Sequence, residues 1–220
     1  MPNAAPTEPL AATPRIGCIV LAAGRSRRYG RTRINKLLLT IAGAPLITHV
    51  LRAVAGAGIG PVVIVTGHQR QHVERVVRAQ RGRHWPLRFN RHHLQGMASS
   101  LQCGLRAMPA QIDGVVVCLA DMPGVSAALI ARLAAAYRPG DDAVIPTVAG
   151  RRGNPVLLGR ALFTDVASLS GDQGARPLLQ ASTHLRFIEA DAGASRDIDT
   201  RRDRQRATRR CLFTRRHSAR

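Results

Sequence analysis

The sequence has only one lysine, Lys36, among its 33 basic residues, so every other basic side chain is an arginine. Such a skew partly reflects a coding bias toward arginine. The net charge of +20 is therefore weak evidence of function by itself. The same skew makes the one lysine worth locating in any candidate site.

Aromatic residues are scarce, with one tryptophan, two tyrosines and four phenylalanines in 220 residues. This argues against the base-stacking surfaces that bind single-stranded nucleic acid. The four cysteines show no CxxC spacing, and Cys18 and Cys118 lie in apolar runs, which predicts small buried hydrophobes rather than disulfides or zinc ligands. No apolar run approaches the roughly 18 residues of a membrane span, and no secretory signal is visible at the start. We therefore expect a cytoplasmic protein without a membrane partner.

Composition divides the chain into three parts. Residues 1–15 are rich in Ala, Pro and Thr and predict a disordered lead-in. Residues 16–203 have the length and apolar content of one domain. Residues 204–220 form a basic tail, and nine arginines against one aspartate give residues 201–220 a charge of +8. We expect this tail to attract nucleic acid only non-specifically.

Short apolar runs alternate with amphipathic segments through the middle of the chain. The runs predict strands at Ile16–Ala22, Pro61–Thr66, Trp85–Phe89, Gly114–Ala120 and Ala143–Pro146. The amphipathic segments predict helices at Pro45–Ala57, Gln71–Ala79, Ser99–Met108 and Ala127–Tyr137. Less regular segments that add strands and a helix follow at Asn154–Leu158, Pro177–Ala181 and Leu185–Ala190. Continuous apolar strands separated by helices predict an α/β fold, a mostly parallel twisted sheet with helices on both faces.

The loop after the first strand has the composition of a phosphate site. Small residues at Ala22, Ala23 and Gly24 let a ligand approach the backbone, whose amide groups can surround an anion. Arginines and Lys36 follow and supply positive charge. The GxGxxG and P-loop patterns are both absent, so neither of the commonest phosphate loops is present.

A carboxylate follows the fourth apolar strand, in Ala120-Asp121-Met122-Pro123. Ser126 is the better cap for the next helix, which leaves Asp121 for a ligand at the carboxyl edge of the sheet. A carboxylate beside phosphates suits Mg²⁺. For a second carboxylate, Asp197 and Asp199 alternate in Asp-Ile-Asp and share one side if that segment is extended.

These residues resemble the nucleotidyltransferases related to the molybdenum cofactor enzymes. The likeness spans about residues 16–203, and six pieces occur in the family's order. They are the loop Leu21-Ala22-Ala23-Gly24-x-Ser26-x-Arg28-x-Gly30 with Lys36-Leu37-Leu38-Leu39, Gly96-Met97-Ala98-Ser99-Ser100-Leu101, Asp121-Met122-Pro123, Gly153-Asn154-Pro155-Val156, Gly171-Asp172-x-Gly174-Ala175-Arg176 and Asp197-Ile198-Asp199-Thr200.

The cytidylyltransferase branch of that family is the most similar, because relatives that use GTP read Leu-Ala-Gly-Gly where this chain has Ala23. The resemblance implies a Rossmann-like nucleotidyltransferase fold. It also implies transfer of CMP from CTP to the phosphate of molybdopterin, with Mg²⁺ as cofactor. GTP is the less favoured nucleotide, and a molybdenum hydroxylase is the implied partner downstream. Relative to the family, Arg31–Asn35 form an insertion before Lys36.

The resemblance also assigns roles to individual residues. Catalytic roles fall to Arg28, Lys36 and Asp121, and metal binding to Asp121 and Asp199. Nucleotide binding falls to Leu21, Ala22, Ala23, Gly24, Lys36, Gly96 and Ser100, and the acceptor side to Asn154 and Arg176.

Three alternatives stay open from the sequence. The first is transfer of a nucleotide to another small phosphate, such as a sugar phosphate. The second is a non-catalytic carrier of the cofactor. The third is a nucleic-acid-binding protein, suggested by the charge but without a helix-turn-helix, zinc-ligand or aromatic signature.

Overall fold

The computed structural model describes residues 13–25, 35–80, 82–195, 197 and 203. Ten strands lie in this part of the chain: β1 (Ile16–Ala22), β2 (Thr40–Ile41), β3 (Ala44–Pro45), β4 (Val62–Thr66), β5 (Leu87–Phe89), β6 (Gly114–Leu119), β7 (Ala143–Val148), β8 (Arg151–Arg152), β9 (Val156–Gly159) and β10 (Leu185–Glu189). The α-helices are α1 (Leu46–Gly56), α2 (Arg70–Arg78), α3 (Met97–Arg106), α4 (Ala127–Ala136), α5 (Phe163–Val166) and α6 (Arg176–Ala181).

Eight of these strands form one mixed sheet in the order β10-β7-β9-β6-β1-β4-β5, with β8 paired to β7. Strands β1, β4, β5 and β6 are parallel, and β7 and β10 run in the same direction. Only β8 and β9 run against them among the eight described strands of this sheet. The predicted α/β class with a mostly parallel sheet is confirmed.

Each face of the sheet is covered by its own apolar core. Alternate β1 side chains point to opposite faces, so Cys18 and Val20 join one core while Ile19 joins the other. The first core packs against α1, α2 and α4, and the second against α3, α5 and α6. Strands β1 and β6 are buried between the two layers, which explains their unbroken apolar sequences.

The order in which successive strands are added to the sheet reverses between β1 and β6, although these two strands are parallel. From β1 it proceeds through β4 to β5 on one side, and it then returns to β6 on the other side of β1. Ligands in open α/β sheets bind outside the carboxyl ends of strands at such a reversal. Here these ends are followed by Ala23-Gly24 after β1 and Asp121 after β6.

Most predicted elements lie where they were expected, and a few differ. Ser126 caps α4 as predicted, because its hydroxyl accepts the Leu129 N–H at 3.2 Å. Trp85 does not belong to β5 but precedes it, buried at 7% exposure. The hairpin β2–β3 was not predicted. Its strands have only two residues each, too few for a periodic signal.

The predicted environment of two cysteines is confirmed. Cys18 and Cys118 are buried on adjacent strands with their sulfur atoms 3.8 Å apart, and both are free thiols. Cys103 is half-buried and also free, and Cys211 lies outside the described residues. The hydrogen bond with the Cys118 thiol, followed by burial, raises the pKa of Cys18, which keeps it protonated.

Two further sequence predictions lie largely outside the described residues. Of the lead-in only 13–15 are described, and the tail 204–220 is not. None of the described helices is long and apolar enough to cross a bilayer.

Candidate active site

The loop after β1 is hydrogen-bonded to the loop after β4. Ala22 and Ala23 are 1% and 4% exposed, whereas Gly24 is exposed, and no described residue would lie within 4 Å of a methyl group added to it. The backbone N–H of His68 donates to the Ala23 carbonyl at 3.2 Å. A methyl group at Gly67 would come within 2.8 Å of the Ala23 methyl, so this close approach requires glycine. Leu21, also predicted to bind nucleotide, is half-buried in β1 beside this loop.

Lys36 and Asp121 meet at the carboxyl end of β6. The Lys36 ammonium lies 2.7 Å from the Asp121 carboxylate, and their side chains are only 12% and 21% exposed. A charge-assisted contact of this length in a partly buried site is strong. The chain thus places two of the predicted catalytic residues together, at the reversal between β1 and β6.

Asn35 immediately precedes Lys36 and was not singled out from the sequence. It is 1% exposed, its amide N–H donates to the His68 carbonyl at 3.2 Å, and its side-chain oxygen accepts the Leu37 N–H at 3.1 Å. That second bond caps the 3-10 turn Lys36–Leu38. The insertion predicted before Lys36 thus ends in a residue that anchors the lysine's own turn.

His68, in the loop after β4, is held through both of its backbone polar groups. Burial, followed by the charges of Arg25 and His93, lowers the pKa of its imidazole. His68 therefore stands neutral at pH 7 beside the loop that follows β1.

The serines of α3 are held by a second buried asparagine. Asn90 follows β5 and is 3% exposed, and its amide N–H groups donate to the Ser99 and Ser100 hydroxyls at 2.9 and 3.0 Å. Ser100 itself is 5% exposed. Asn90 was not predicted as a site residue, and its position as a polar residue directly after a strand is the signal that indicates it.

Gly96 joins two motifs that are far apart in the sequence. Its φ is +105°, and a methyl group there would collide with the backbone of Gly171. A methyl group at Gly174 would lie 2.8 Å from the Met97 sulfur. Gly96 therefore needs glycine, and the φ of +56° favours glycine at position 174. The segment before α3 packs directly on the segment before α6.

Asn154 lies on the same edge of the sheet. Its backbone N–H donates to the Ala194 carbonyl at 2.7 Å, and the neighbouring Gly193 packs backbone to backbone against Gly124. The 3-10 turn Ala192–Ser195 therefore lies against the loop that follows Asp121. Arg176 is exposed at the start of α6.

Some predicted site residues cannot be placed. Arg28 and Asp199 lie outside the described residues. Asp197 is described and exposed. Asp113 lies at the opposite end of β6, where its carboxylate accepts the Arg15 N–H at 2.7 Å, as expected for an acid remote from the site.

The described residues offer one candidate ligand for Mg²⁺, the carboxylate of Asp121. They contain no group of three or more His, Cys, Asp or Glu side chains able to hold a metal ion. Mg²⁺ commonly takes one or two carboxylates and completes its shell with water and substrate phosphates. Asp121 is suited to be such a carboxylate ligand, and its side chain already contacts the Lys36 ammonium.

Comparison with known proteins gives the family. The model of the MobA-like NTP transferase domain matches residues 18–186. The chain belongs to this family. The candidate site residues from Leu21 to Arg176 fall within the matched part of the chain.

Individual relatives carry different names. The MobA-like chain is 32% identical over 198 residues to the nicotine blue oxidoreductase of Paenarthrobacter nicotinovorans, covering 85% of this chain and 93% of that one. It is 35% identical over 147 residues to the bifunctional protein GlmU of Kineococcus radiotolerans. That match covers 66% of this chain but only 29% of GlmU.

Solved structures share the fold. A nucleotidyl transferase from Methanothermobacter superposes with a TM-score of 0.79 at 28% identity, covering 91% of this chain and 99% of that one.

Proposed function

We propose that this protein transfers CMP from CTP to the phosphate of a molybdopterin-type acceptor and releases pyrophosphate. The observation that carries the proposal is the Lys36–Asp121 pair at the strand reversal, beside the small-residue loop Ala22–Gly24. Cation, carboxylate and exposed backbone together suit a triphosphate more than a neutral substrate.

The reaction needs no protein nucleophile. An oxygen of the acceptor phosphate attacks the α-phosphorus of CTP, a new phosphoanhydride bond forms, and the bond to the β-phosphate breaks with loss of pyrophosphate. Catalysis of this kind rests on positioning and on charge neutralisation. The backbone of Ala22–Gly24 binds the triphosphate, and Lys36 and Arg28 stabilise the charge that develops on the pyrophosphate.

Asp121 and Asp199 are the residues that would hold Mg²⁺ in this proposal. The bound ion would neutralise charge on the α-phosphate and on the incoming phosphate. By the resemblance, Ser100 and Gly96 belong to the base or ribose part of the site, and Asn154 and Arg176 to the acceptor part. The proposed preference for cytosine rests on the resemblance to cytidylyltransferases at Ala23. Because the Ala23 methyl is buried, any selection there acts through the backbone.

The test is pyrophosphate release with Mg²⁺, molybdopterin and each of CTP, GTP, ATP and UTP in turn. Release with CTP alone is the expected result. Release with GTP instead would keep the mechanism and refute the base assignment. Release only when a sugar 1-phosphate replaces molybdopterin would refute the acceptor, and no release from folded protein with either acceptor would favour the carrier.

The match to nicotine blue oxidoreductase supports a second candidate, an oxidoreductase, because it extends over 93% of that protein. An oxidoreductase must take electrons from a donor, so the same preparation is tested for dye-dependent oxidation of NADH and NADPH. The GxGxxG fingerprint is absent, which favours the transferase. Oxidation of NADH or NADPH without pyrophosphate release would reverse that preference.

A further inference from the structure

Asn35 is a buried polar side chain whose two ends are both bonded. At 1% exposure it is among the most buried residues of the site. Its Nδ2 donates to the His68 carbonyl at 3.2 Å, and its Oδ1 accepts from the Leu37 N–H at 3.1 Å. Burying an amide is unfavourable unless it is hydrogen-bonded, so these two bonds determine where the side chain lies.

The bond to Leu37 fixes the turn that carries Lys36. It caps the 3-10 turn Lys36–Leu38, and the backbone closes the turn with Leu38 N–H donating to the Asn35 carbonyl at 3.0 Å. Leu37 is 4% exposed in the core beneath α1. With Leu37 anchored inward, the adjacent Lys36 reaches the Asp121 carboxylate at 2.7 Å.

The bond to His68 ties this turn to the rest of the site. The N–H of His68 donates to the Ala23 carbonyl at 3.2 Å. One side-chain amide therefore connects the Lys36 turn, the loop after β4 and the loop after β1. These three segments surround the place where the proposed triphosphate binds.

We infer that Asn35 is a positioning residue for Lys36, holding its ammonium at Asp121 and at the phosphates through the bond to His68. The inference rests on the proposed function of this site. Asn35 itself touches neither the nucleotide nor the reacting atoms in this scheme.

The two bonds can be separated by substitution. Asn35→Asp has the same size and keeps an oxygen for the Leu37 N–H, but it places an oxygen opposite the His68 carbonyl and loses the donor. Asn35→Ser is the second variant, because serine still caps the turn but is too short to reach His68. Lys36→Met removes the charge at similar length.

The experiment is a double-mutant cycle read by calorimetric titration with Mg²⁺ and a non-hydrolysable CTP analogue. We expect Asn35→Asp to weaken binding by about tenfold in the wild-type background and by less than about twofold in Lys36→Met, as for residues coupled through contact. Asn35→Ser should weaken binding by a similar factor in each of the two backgrounds.

Gln80→Ala is the matched control. Its amide donates to Thr48 Oγ1 and to the Val76 carbonyl at the far end of α2, so it removes a similar link away from the site. It should leave binding unchanged while lowering the melting temperature about as much as Asn35→Asp.

Two results would overturn the inference. If Asn35→Asp and Asn35→Ser weaken binding equally with Lys36 or Met at position 36, or if Gln80→Ala weakens it as much, Asn35 only supports the fold. If the wild-type protein binds neither the CTP analogue nor the corresponding analogues of GTP, ATP and UTP in the same titration, the proposed function itself fails and the inference falls with it.

Discussion

At the scale of a single residue, Asp121 combines two demands on one carboxylate. It contacts the Lys36 ammonium, and in the proposed function it also binds Mg²⁺. We expect Asp121→Asn to lower kcat by at least about 100-fold, because loss of one such stabilising group costs this much in comparable sites. The melting temperature and circular dichroism should show a folded protein.

The control for Asp121→Asn is Asp165→Asn, because Asp165 is an exposed residue of α5. This substitution removes the same charge from a residue outside the candidate site. The kcat of the variant should therefore equal that of the wild type. More than about a tenth of wild-type activity in Asp121→Asn would contradict the metal role.

His68 supplies a pH-dependent prediction at the same scale. Because its folded pKa is lowered by burial and by Arg25, the unfolded chain binds more protons at this residue between the two pKa values. Its contribution to stability is therefore fully present above the ordinary pKa of about 6.5 and is lost as the pH falls through the lowered value. An NMR titration should give a pKa below 6.5.

Urea unfolding at pH 5 and pH 7.5 tests the consequence. Acidification should destabilise the wild-type protein more than His68→Gln, whose amide does not titrate. Equal losses in the two proteins would show that His68 has no such effect.

At the scale of elements, the contact between the segments before α3 and α6 depends on Gly96. Its φ of +105° and the nearby Gly171 backbone exclude a methyl group for two separate reasons. We expect Gly96→Ala to destabilise the fold by about 2 kcal/mol or more in urea unfolding, and to raise the KM for the nucleotide.

Gly140→Ala separates the effect of a positive φ from the effect of the clash with the Gly171 backbone. Gly140 has a similar φ of +96° but nothing within 4 Å of an added methyl group. It should therefore show only the backbone strain, with an unchanged KM. Identical losses in the two variants would mean that the loop contact contributes nothing.

The elements also show what the sequence could predict. Strands β1 and β6 were predicted within a residue because burial on both faces leaves an unbroken apolar run. The reversed direction of β9 was not predicted, since an apolar run looks the same in either direction. Asp121 was predicted as a site residue from its position after a strand, but its contact with Lys36 depends on folding across the sheet. Asn35 carried no local signal beyond its place next to the lysine.

At the scale of the whole molecule, the site draws on both layers of helices. Asn35 and Lys36 lie in a turn packed beside α1 and α2, whereas Ser100 lies on α3 across the sheet. Asp121 follows a central strand between them. The geometry of the site therefore depends on both cores at once, and a cavity in either core should disturb nucleotide binding as well as stability.

Charge is the other property of the whole chain. Residues 204–220 contain seven arginines and no acid, within a protein of net charge +20. Such an excess should bind duplex DNA through phosphate contacts alone, so affinity should fall steeply with salt and show no sequence preference. Removing residues 204–220 should reduce the slope of log K against log salt and weaken DNA binding at low salt.

The same deletion should leave kcat and KM for CTP unchanged, because the candidate site lies at the carboxyl edge of the sheet and uses Lys36 and Asp121. DNA should then fail to compete with CTP at physiological salt. A DNA duplex that displaced CTP from the full-length chain, with a salt slope unaffected by the deletion, would assign the nucleic-acid affinity to the site itself. The basic surface would in that case belong to the function of the domain rather than to an excess of arginine.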